Sequence, residues 1–209
     1  NYIGSKDALI EDNWNTEDGM YQIEGDFKEM ADLGANTVRI HLQYNKFMQS
    51  ADEPNAQSLE RLRELVDIAE RGNLYLIVTG LGAYRKQDAP TWYDSLSETE
   101  RWATQALFWE HIAETVGDSP AILSYDLMNE PVVAVETESG WTPGKDLGGF
   151  QFVQNITLDA KARTTESVMT SWITQLSAAI HKHDSKTMIT VGFLPFGNLA
   201  QFSKDLDLM

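Results

Sequence analysis

Residues 121–131, AILSYDLMNEP, form an apolar run that ends in an amide, a carboxylate and a proline. Its length and composition predict a buried β-strand from Ala121 to Met128. Because side chains alternate along a strand, one face is expected to carry Ser124, Asp126, Met128 and Glu130. Glu130 is therefore expected at the carboxyl end of the strand, where it can reach a site above the sheet.

The rest of the chain alternates between strand-like and helix-like patterns. Capping residues and apolar spacing predict four helices, at Glu24–Leu33, Ser58–Arg71, Ser97–Val116 and Thr165–His183. The other predicted strands are Asn36–Leu42, Leu74–Thr79 and Thr187–Phe193, with the tail of an earlier strand at Tyr2-Ile3. This alternation predicts an α/β fold with a parallel sheet, of the TIM-barrel type.

The number of strands bounds the size of that barrel. At the observed spacing, an eight-stranded barrel needs roughly 400 residues, whereas the sequence has 209. We therefore expect a single partial (β/α) barrel domain over residues 1–209, with strands two to five and the tail of strand one. The long segments after the second and third clear strands are rich in aromatic residues and lie where barrels place their active sites.

Composition narrows the possible partners. The chain has 16 basic and 32 acidic residues and a net charge of −16, which argues against nucleic acid and fits a neutral ligand. Cysteine is absent, so disulfides and cysteine nucleophiles are excluded. No apolar window is long enough for a bilayer and no signal peptide is visible, so we expect a soluble protein, either cytoplasmic or exported, without a membrane partner.

Two motifs carry a resemblance to a known family. NTVRI at residues 36–40 and YDLMNEP at residues 125–131, on strands separated by a βα unit, resemble glycoside hydrolase clan A. The chain is most similar to family 5, the cellulase-type (β/α)8 barrels, from about Ile3 to Met209. The resemblance implies a retaining glycosidase acting on a β-linked oligo- or polysaccharide, with no cofactor.

The resemblance also implies roles for three residues. Glu130 matches the general acid/base, and Asn129 matches the residue that hydrogen-bonds the sugar 2-hydroxyl. Arg39 matches the arginine that holds the nucleophile carboxylate of the family, and its planar guanidinium suits such pairing. If that carboxylate is missing, the charge of Arg39 is expected to lie near Glu130 and to favour its ionised form.

The nucleophile itself is expected to be absent from this chain. Family members carry it on the seventh strand, and the chain ends at Asp207-Leu208-Met209, near the expected sixth. Asp126 lies two residues deeper than Glu130, and Glu136 and Glu138 lie in a loop, so none of the three is predicted to replace it. The 209 residues are thus expected to be an incomplete or inactive hydrolase. The alternative is a non-catalytic half-barrel that self-associates through open strand edges and at most binds carbohydrate.

Four further residues are candidates for contact with the sugar. His41 is predicted to be a hydrogen-bonded barrel histidine first and a sugar contact second. Tyr84, Trp92 and Trp141 lie in the segments after strands, where a ring can either stack on a sugar or anchor the loop. The four histidines have no metal-ligand spacing, so no metal site is predicted.

Overall fold

Among the residues that the structure describes, the main sheet is parallel and has four strands. The structure is a computed structural model that describes residues 1–3, 9–16, 18–134, 136, 138, 140–143 and 148–193. Its strands are β1 (Thr37–Gln43), β2 (Tyr75–Gly82), β3 (Ile122–Asn129), β4 (Pro131–Val133), β5 (Gln154–Thr157) and β6 (Met188–Gly192). The main sheet has the order β1-β2-β3-β6, and every pair is parallel. The four predicted strands are confirmed.

A fifth segment touches the sheet beside β1. Tyr2 forms a parallel bridge with Ile40, and its backbone N–H donates to the carbonyl of Arg39 at 2.7 Å. This is the predicted tail of an earlier strand. The resulting parallel arc is part of a TIM-type barrel, as predicted.

Helices cover one face of the sheet. The helices are α1 (Ile10–Asn13), α2 (Gly19–Asp32), α3 (Tyr44–Phe47), α4 (Ala56–Arg71), α5 (Thr91–Ser95), α6 (Glu98–Val116) and α7 (Thr165–Ile180), with a 3-10 turn at Lys86–Asp88. The four predicted helices correspond to α2, α4, α6 and α7. The start of α6 forms the capping box predicted from the sequence: the backbone N–H of Ser97 donates to Glu100 Oε2 at 2.9 Å, and the Ser97 hydroxyl accepts from the Glu100 N–H.

The two faces of the sheet differ in chemistry. Toward the helices, the strands contribute buried apolar side chains to one continuous core, among them Val38, Ile40, Leu76, Val78 and Leu127. The opposite face carries polar side chains near its carboxyl ends. In the described parts of the chain, no helix is long and apolar enough to cross a bilayer.

The segments after the strands contain more regular structure than the sequence predicts. β4 and β5 form a separate two-stranded parallel sheet within the segment predicted as one long loop, with Pro131 paired to Gln154. α1, α3 and α5 were not predicted either. Elements of three to five residues are too short to show a hydrophobic period, which explains why the pattern missed them.

Candidate active site

Glu130 lies at the point where β3 ends and β4 begins. Its backbone is left-handed, with φ of 51°, an uncommon conformation for a residue other than glycine. Its N–H donates to the Gly192 carbonyl at 2.7 Å, and its carbonyl accepts from the Gln154 N–H at 3.3 Å. The backbone is therefore fixed on both sides. Glu130 is half-buried, and its carboxylate takes part in none of the hydrogen bonds between the residues that the structure describes.

Arg39 is the centre of a polar network on the open face of the sheet. Its Nη2 lies 2.5 Å from Oδ2 of Asp126, and its Nε donates to the hydroxyl of Thr79 at 2.8 Å. A second bond from Nη2 reaches Oδ1 of Asn129 at 3.0 Å. One guanidinium thus connects β1 to side chains of β2 and β3.

Asp126 is the buried partner of that guanidinium. It is 2% exposed, and its Oδ2 also accepts from the Thr79 hydroxyl at 2.7 Å. Burial raises the pKa of this carboxyl, while the charge of Arg39 and the Thr79 hydrogen bond oppose the rise. Asp126 is therefore committed to Arg39. Strand alternation predicts that Asp126 faces inward, but it does not identify Asp126 as the partner of Arg39.

Asn129 faces the same network despite its position in the strand. Strict alternation would turn it away from Asp126, three residues earlier. The pairing of β3 with β6 shifts register between these two residues, and this shift turns the Asn129 side chain toward Arg39. Its Oδ1 accepts from Arg39, and its Nδ2 donates to the Phe152 carbonyl at 3.2 Å. The orientation of the amide is thereby fixed by two partners.

Gly192 leaves room for the guanidinium. A Cβ at this position would lie 2.9 Å from Arg39 Nη2 and 3.4 Å from Asp126 Oδ2. A side chain here would therefore press on the ion pair. Glycine at the end of β6 is explained by this close approach.

His41 and Tyr84 form a buried pair next to the network. His41 Nδ1 lies 2.6 Å from the Tyr84 hydroxyl, and both side chains are buried. Burial and the nearby charge of Arg39 lower the pKa of His41 to about 3, so the imidazole is neutral over the physiological range. Burial also raises the pKa of Tyr84. The expected hydrogen-bonded barrel histidine is present. Of the two roles left open for Tyr84, its complete burial fits the loop anchor better than the sugar platform.

The two predicted tryptophans differ in exposure. Trp141 is 6% exposed, and its ring lies 4.0 Å from the guanidinium carbon of Arg101, which contacts the ring of Tyr93 on another side at 3.7 Å. Such burial fits a loop anchor better than a sugar platform. Trp92 is half-buried on α5 and packs against Tyr44 and Tyr93.

The remaining carboxylates considered in the sequence lie apart from this network. Glu136 and Glu138 are exposed in the segment after β4, where the Glu138 N–H donates to the Leu158 carbonyl at 2.9 Å. Among the described residues, no cluster of histidine and carboxylate side chains has the geometry of a metal site.

A partial (β/α) barrel with a carboxylate, an amide and a guanidinium at the carboxyl ends of its strands is an arrangement found in barrel enzymes. The sequence matches the family Cellulase (glycosyl hydrolase family 5) over residues 6–205. The chain therefore belongs to glycosyl hydrolase family 5. A comparison with curated proteins found no match.

Solved structures of similar fold include members of the same family. A GH5_18 variant from Streptomyces cattleya, in complex with Manb1-4GlcNAc, is 17% identical, with a TM-score of 0.65 over 87% of this chain and 41% of that chain. The exo-beta-1,4-mannosidase Op5Man5 from Opitutaceae bacterium strain TAV5 is 19% identical, with a TM-score of 0.63 over 88% of this chain and 29% of that chain. The chain thus spans less than half the length of these structures.

Proposed function

We propose that the protein is a retaining glycoside hydrolase that acts on a β-linked oligo- or polysaccharide, with Glu130 as general acid/base. The observation that carries this proposal is the carboxylate of Glu130 at the end of β3, which bonds no described residue and lies beside an amide fixed by Arg39. Membership of family 5 supports the reaction class. The β-linked disaccharide bound by the Streptomyces cattleya protein and the name of the Opitutaceae enzyme support the linkage.

The proposed reaction uses two carboxyl groups. The acid form of Glu130 protonates the oxygen of the leaving group while a second carboxylate, about 5–5.5 Å away, attacks the anomeric carbon. Glu130 then acts as a base on the water that releases the sugar. Because its carboxylate bonds no described side chain, it is available for both proton transfers.

Asn129 is proposed to contact the sugar 2-hydroxyl. Its Oδ1 is held by Arg39, so the Nδ2 end of the amide is the donor end. One N–H of Nδ2 goes to the Phe152 carbonyl, which leaves the second for a ligand. Arg39 therefore orients the contact residue. Trp92 is the proposed stacking residue, since its ring is the more accessible of the two tryptophans.

We propose that the nucleophile comes from outside the described residues. Asp126 is bound by Arg39 and Thr79, and its burial removes it from the leaving group. Without a second carboxylate beside Glu130, covalent catalysis is unavailable. The 209 residues alone are therefore expected to show negligible turnover. A full-length protein, meaning these residues together with a segment that supplies the remaining barrel strands and the nucleophile, is expected to be active.

The test is hydrolysis of aryl β-glycosides by the full-length protein, with the anomer of the first product followed by NMR. Retention of configuration is expected, and Glu130→Gln should lower kcat by about a hundredfold or more, the usual contribution of an acid/base residue. The matched control is Glu136→Gln, which alters an exposed carboxylate nearby in sequence and should leave kcat unchanged. Inverted product, or full activity of the Glu130 variant, would contradict the proposal.

A further inference from the structure

Two residues with left-handed backbone lie at the carboxyl ends of neighbouring strands. Leu81, near the end of β2, has φ of 56°, and Glu130, after β3, has φ of 51°. Leucine and glutamate rarely adopt this conformation, which persists only where surrounding contacts enforce it. The strain at Glu130 is increased by Pro131, because a residue before proline prefers an extended backbone.

Gln154 forms a hydrogen bond to the carbonyl of each of these two residues. Nε2 of Gln154 donates to the Leu81 carbonyl at 3.0 Å, and the backbone N–H of Gln154 donates to the Glu130 carbonyl at 3.3 Å. Gln154 belongs to β5 and is 1% exposed. The side chain and the backbone of one buried residue therefore bridge the ends of β2 and β3.

The neighbouring contacts leave little freedom at either end. Leu81 is fully buried, and a Cβ on Gly82 would lie 2.6 Å from Gln43 Nε2. On the other strand, the Glu130 N–H is already bound to Gly192. β5 is also held by its pairing with β4 and by Trp102, whose Nε1 donates to the Ile156 carbonyl at 2.6 Å, and the Gln154 side chain adds a direct bond from β5 to β2. If that side chain is lost, β5 loses its bond to Leu81, and the 3.3 Å bond from the backbone N–H of residue 154 to Glu130 is expected to weaken.

We propose that Gln154 is a positioning residue for Glu130: by bonding Leu81 it seats β5, and through its backbone N–H it keeps the end of β3 in the conformation that aims the Glu130 carboxyl at the leaving group. Gln154 does not touch the sugar. This inference rests on the proposed acid/base role of Glu130, and it adds a residue outside β3 on which that role depends.

The first test separates a loss of acid catalysis from a general loss of activity by comparing two substrates with different leaving groups. Phenyl β-glycosides need protonation of the leaving group, whereas dinitrophenyl β-glycosides leave with little help from an acid. In the full-length protein, Gln154→Met should lower kcat for the phenyl substrate by about tenfold to a hundredfold, as misplacement of a catalytic group by about 1 Å does. We expect kcat/KM for the dinitrophenyl substrate, which reports only the formation of the glycosyl-enzyme, to change by less than about threefold. The value of kcat for that substrate should fall as well, because release of the sugar uses Glu130 as a base.

The control is a second buried glutamine, whose side chain has two hydrogen bonds where that of Gln154 has one among the described residues. Gln105 on α6 donates to the Tyr93 hydroxyl at 2.9 Å and accepts from Trp172 Nε1 at 2.8 Å. Gln105→Met should lower stability without discriminating between the two substrates. If both glutamine variants lower the hydrolysis of both substrates by the same factor, Gln154 has only a structural role and the proposal is overturned.

A second measurement does not depend on activity. Exchange of the Glu130 amide, which donates to Gly192, should be at least about tenfold faster in Gln154→Met than in Gln105→Met, relative to amides in the middle of β3. Gln154→Glu keeps the shape of the side chain but puts a carboxylate oxygen where the Nε2 donor stood. This variant replaces Gln154→Met in the measurement if the methionine variant does not fold. Should Glu130→Gln spare phenyl glycoside hydrolysis, the proposed function fails, and the exchange result alone decides on Gln154. Unchanged exchange in both Gln154 variants would refute the inference.

Discussion

Arg39 Nη2 and Asp126 Oδ2 lie 2.5 Å apart across the open face of the sheet, with the Thr79 hydroxyl bonded to the same carboxylate oxygen. The side chain of Asp126 is 3% exposed and that of Arg39 is 24% exposed, so one partner is buried and the other reaches toward the mouth. The positive charge of the guanidinium is thus balanced by the more deeply buried carboxylate of Asp126. The expectation that its charge would be left uncompensated near Glu130 is wrong, because Asp126 supplies the carboxylate.

Asp126→Asn should destabilise the protein by about 2 kcal/mol, less than the loss of a fully buried ion pair, because Arg39 keeps some access to water. The substitution preserves shape but removes the charge that Arg39 is paired with. Urea unfolding measures the effect. The control is Asp118→Asn, which removes an ion pair with Arg63 whose aspartate is 73% exposed and should cost about 0.5 kcal/mol or less. An equal loss in the free energy of unfolding for Asp126→Asn and Asp118→Asn would contradict the prediction that the buried ion pair contributes more to stability.

Gly192→Ala tests the close approach of the ion pair to β6. The new Cβ would lie 2.9 Å from Arg39 Nη2, so the guanidinium must move away from Asn129 or Asp126. We expect a loss of about 1–3 kcal/mol in the free energy of unfolding, the usual range for overpacking. Gly25→Ala on α2 is the matched control, since nothing lies within 4 Å of its Cβ. That change should stabilise the helix by up to about 1 kcal/mol, so the two substitutions are expected to have opposite signs.

Trp141→Ala tests whether that ring anchors a loop. Its face covers the Arg101 guanidinium, and its Nε1 donates to the Asp94 carbonyl at 3.3 Å. Removal should lower the free energy of unfolding by about 3 kcal/mol, as for other buried tryptophans. Trp92→Ala, which removes a half-buried ring, should cost less. If Trp141→Ala left stability unchanged and weakened only sugar binding, the stacking role would be restored.

The part of the fold built from long periodic segments could be predicted from the sequence, because apolar spacing and caps such as Ser97 report local structure directly. The end of β3 could not be predicted in detail. The direction of Asn129 depends on a register shift against β6, and the covering of Trp141 depends on Arg101, forty residues earlier on α6. Contacts of this kind are set by tertiary packing and leave no periodic signal. Gln154 was not among the predicted site residues for the same reason, since β5 is only four residues long.

Self-association stays a prediction about the 209 residues alone. The outer edge of β1 is bridged by Tyr2, whereas no described strand pairs with the outer edge of β6. Such an edge invites pairing with another strand. Sedimentation velocity over a range of concentrations should show a dimer or larger species, and the full-length protein measured in parallel should show less. A monomer at every concentration would argue against pairing through this edge.

Glu11 should make the stability of the protein depend on pH near neutrality. It is 3% exposed on α1, its Oε1 accepts from the Gln43 N–H at 2.6 Å, and its Oε2 has no partner among the described residues. Burial raises the pKa of this carboxyl to about 7, and the negative charge of Asp12 adds to the rise. The Gln43 hydrogen bond and the positive charge of Lys46 act in the opposite direction.

Because the folded state holds this proton more tightly than the unfolded state, the contribution of Glu11 to stability falls as pH rises from about 4.5 to about 7 and is constant above that. Glu11→Gln carries a neutral side chain of the same shape and removes this dependence. His41 has the opposite effect in an overlapping range, since its lowered pKa favours the unfolded state as pH falls. The informative quantity is therefore the difference between wild type and Glu11→Gln, which cancels the histidine. We expect the variant to gain about 2–3 kcal/mol relative to wild type between pH 5 and pH 8, measured by urea unfolding. A difference that does not change with pH would show that Glu11 is not protonated in the folded protein.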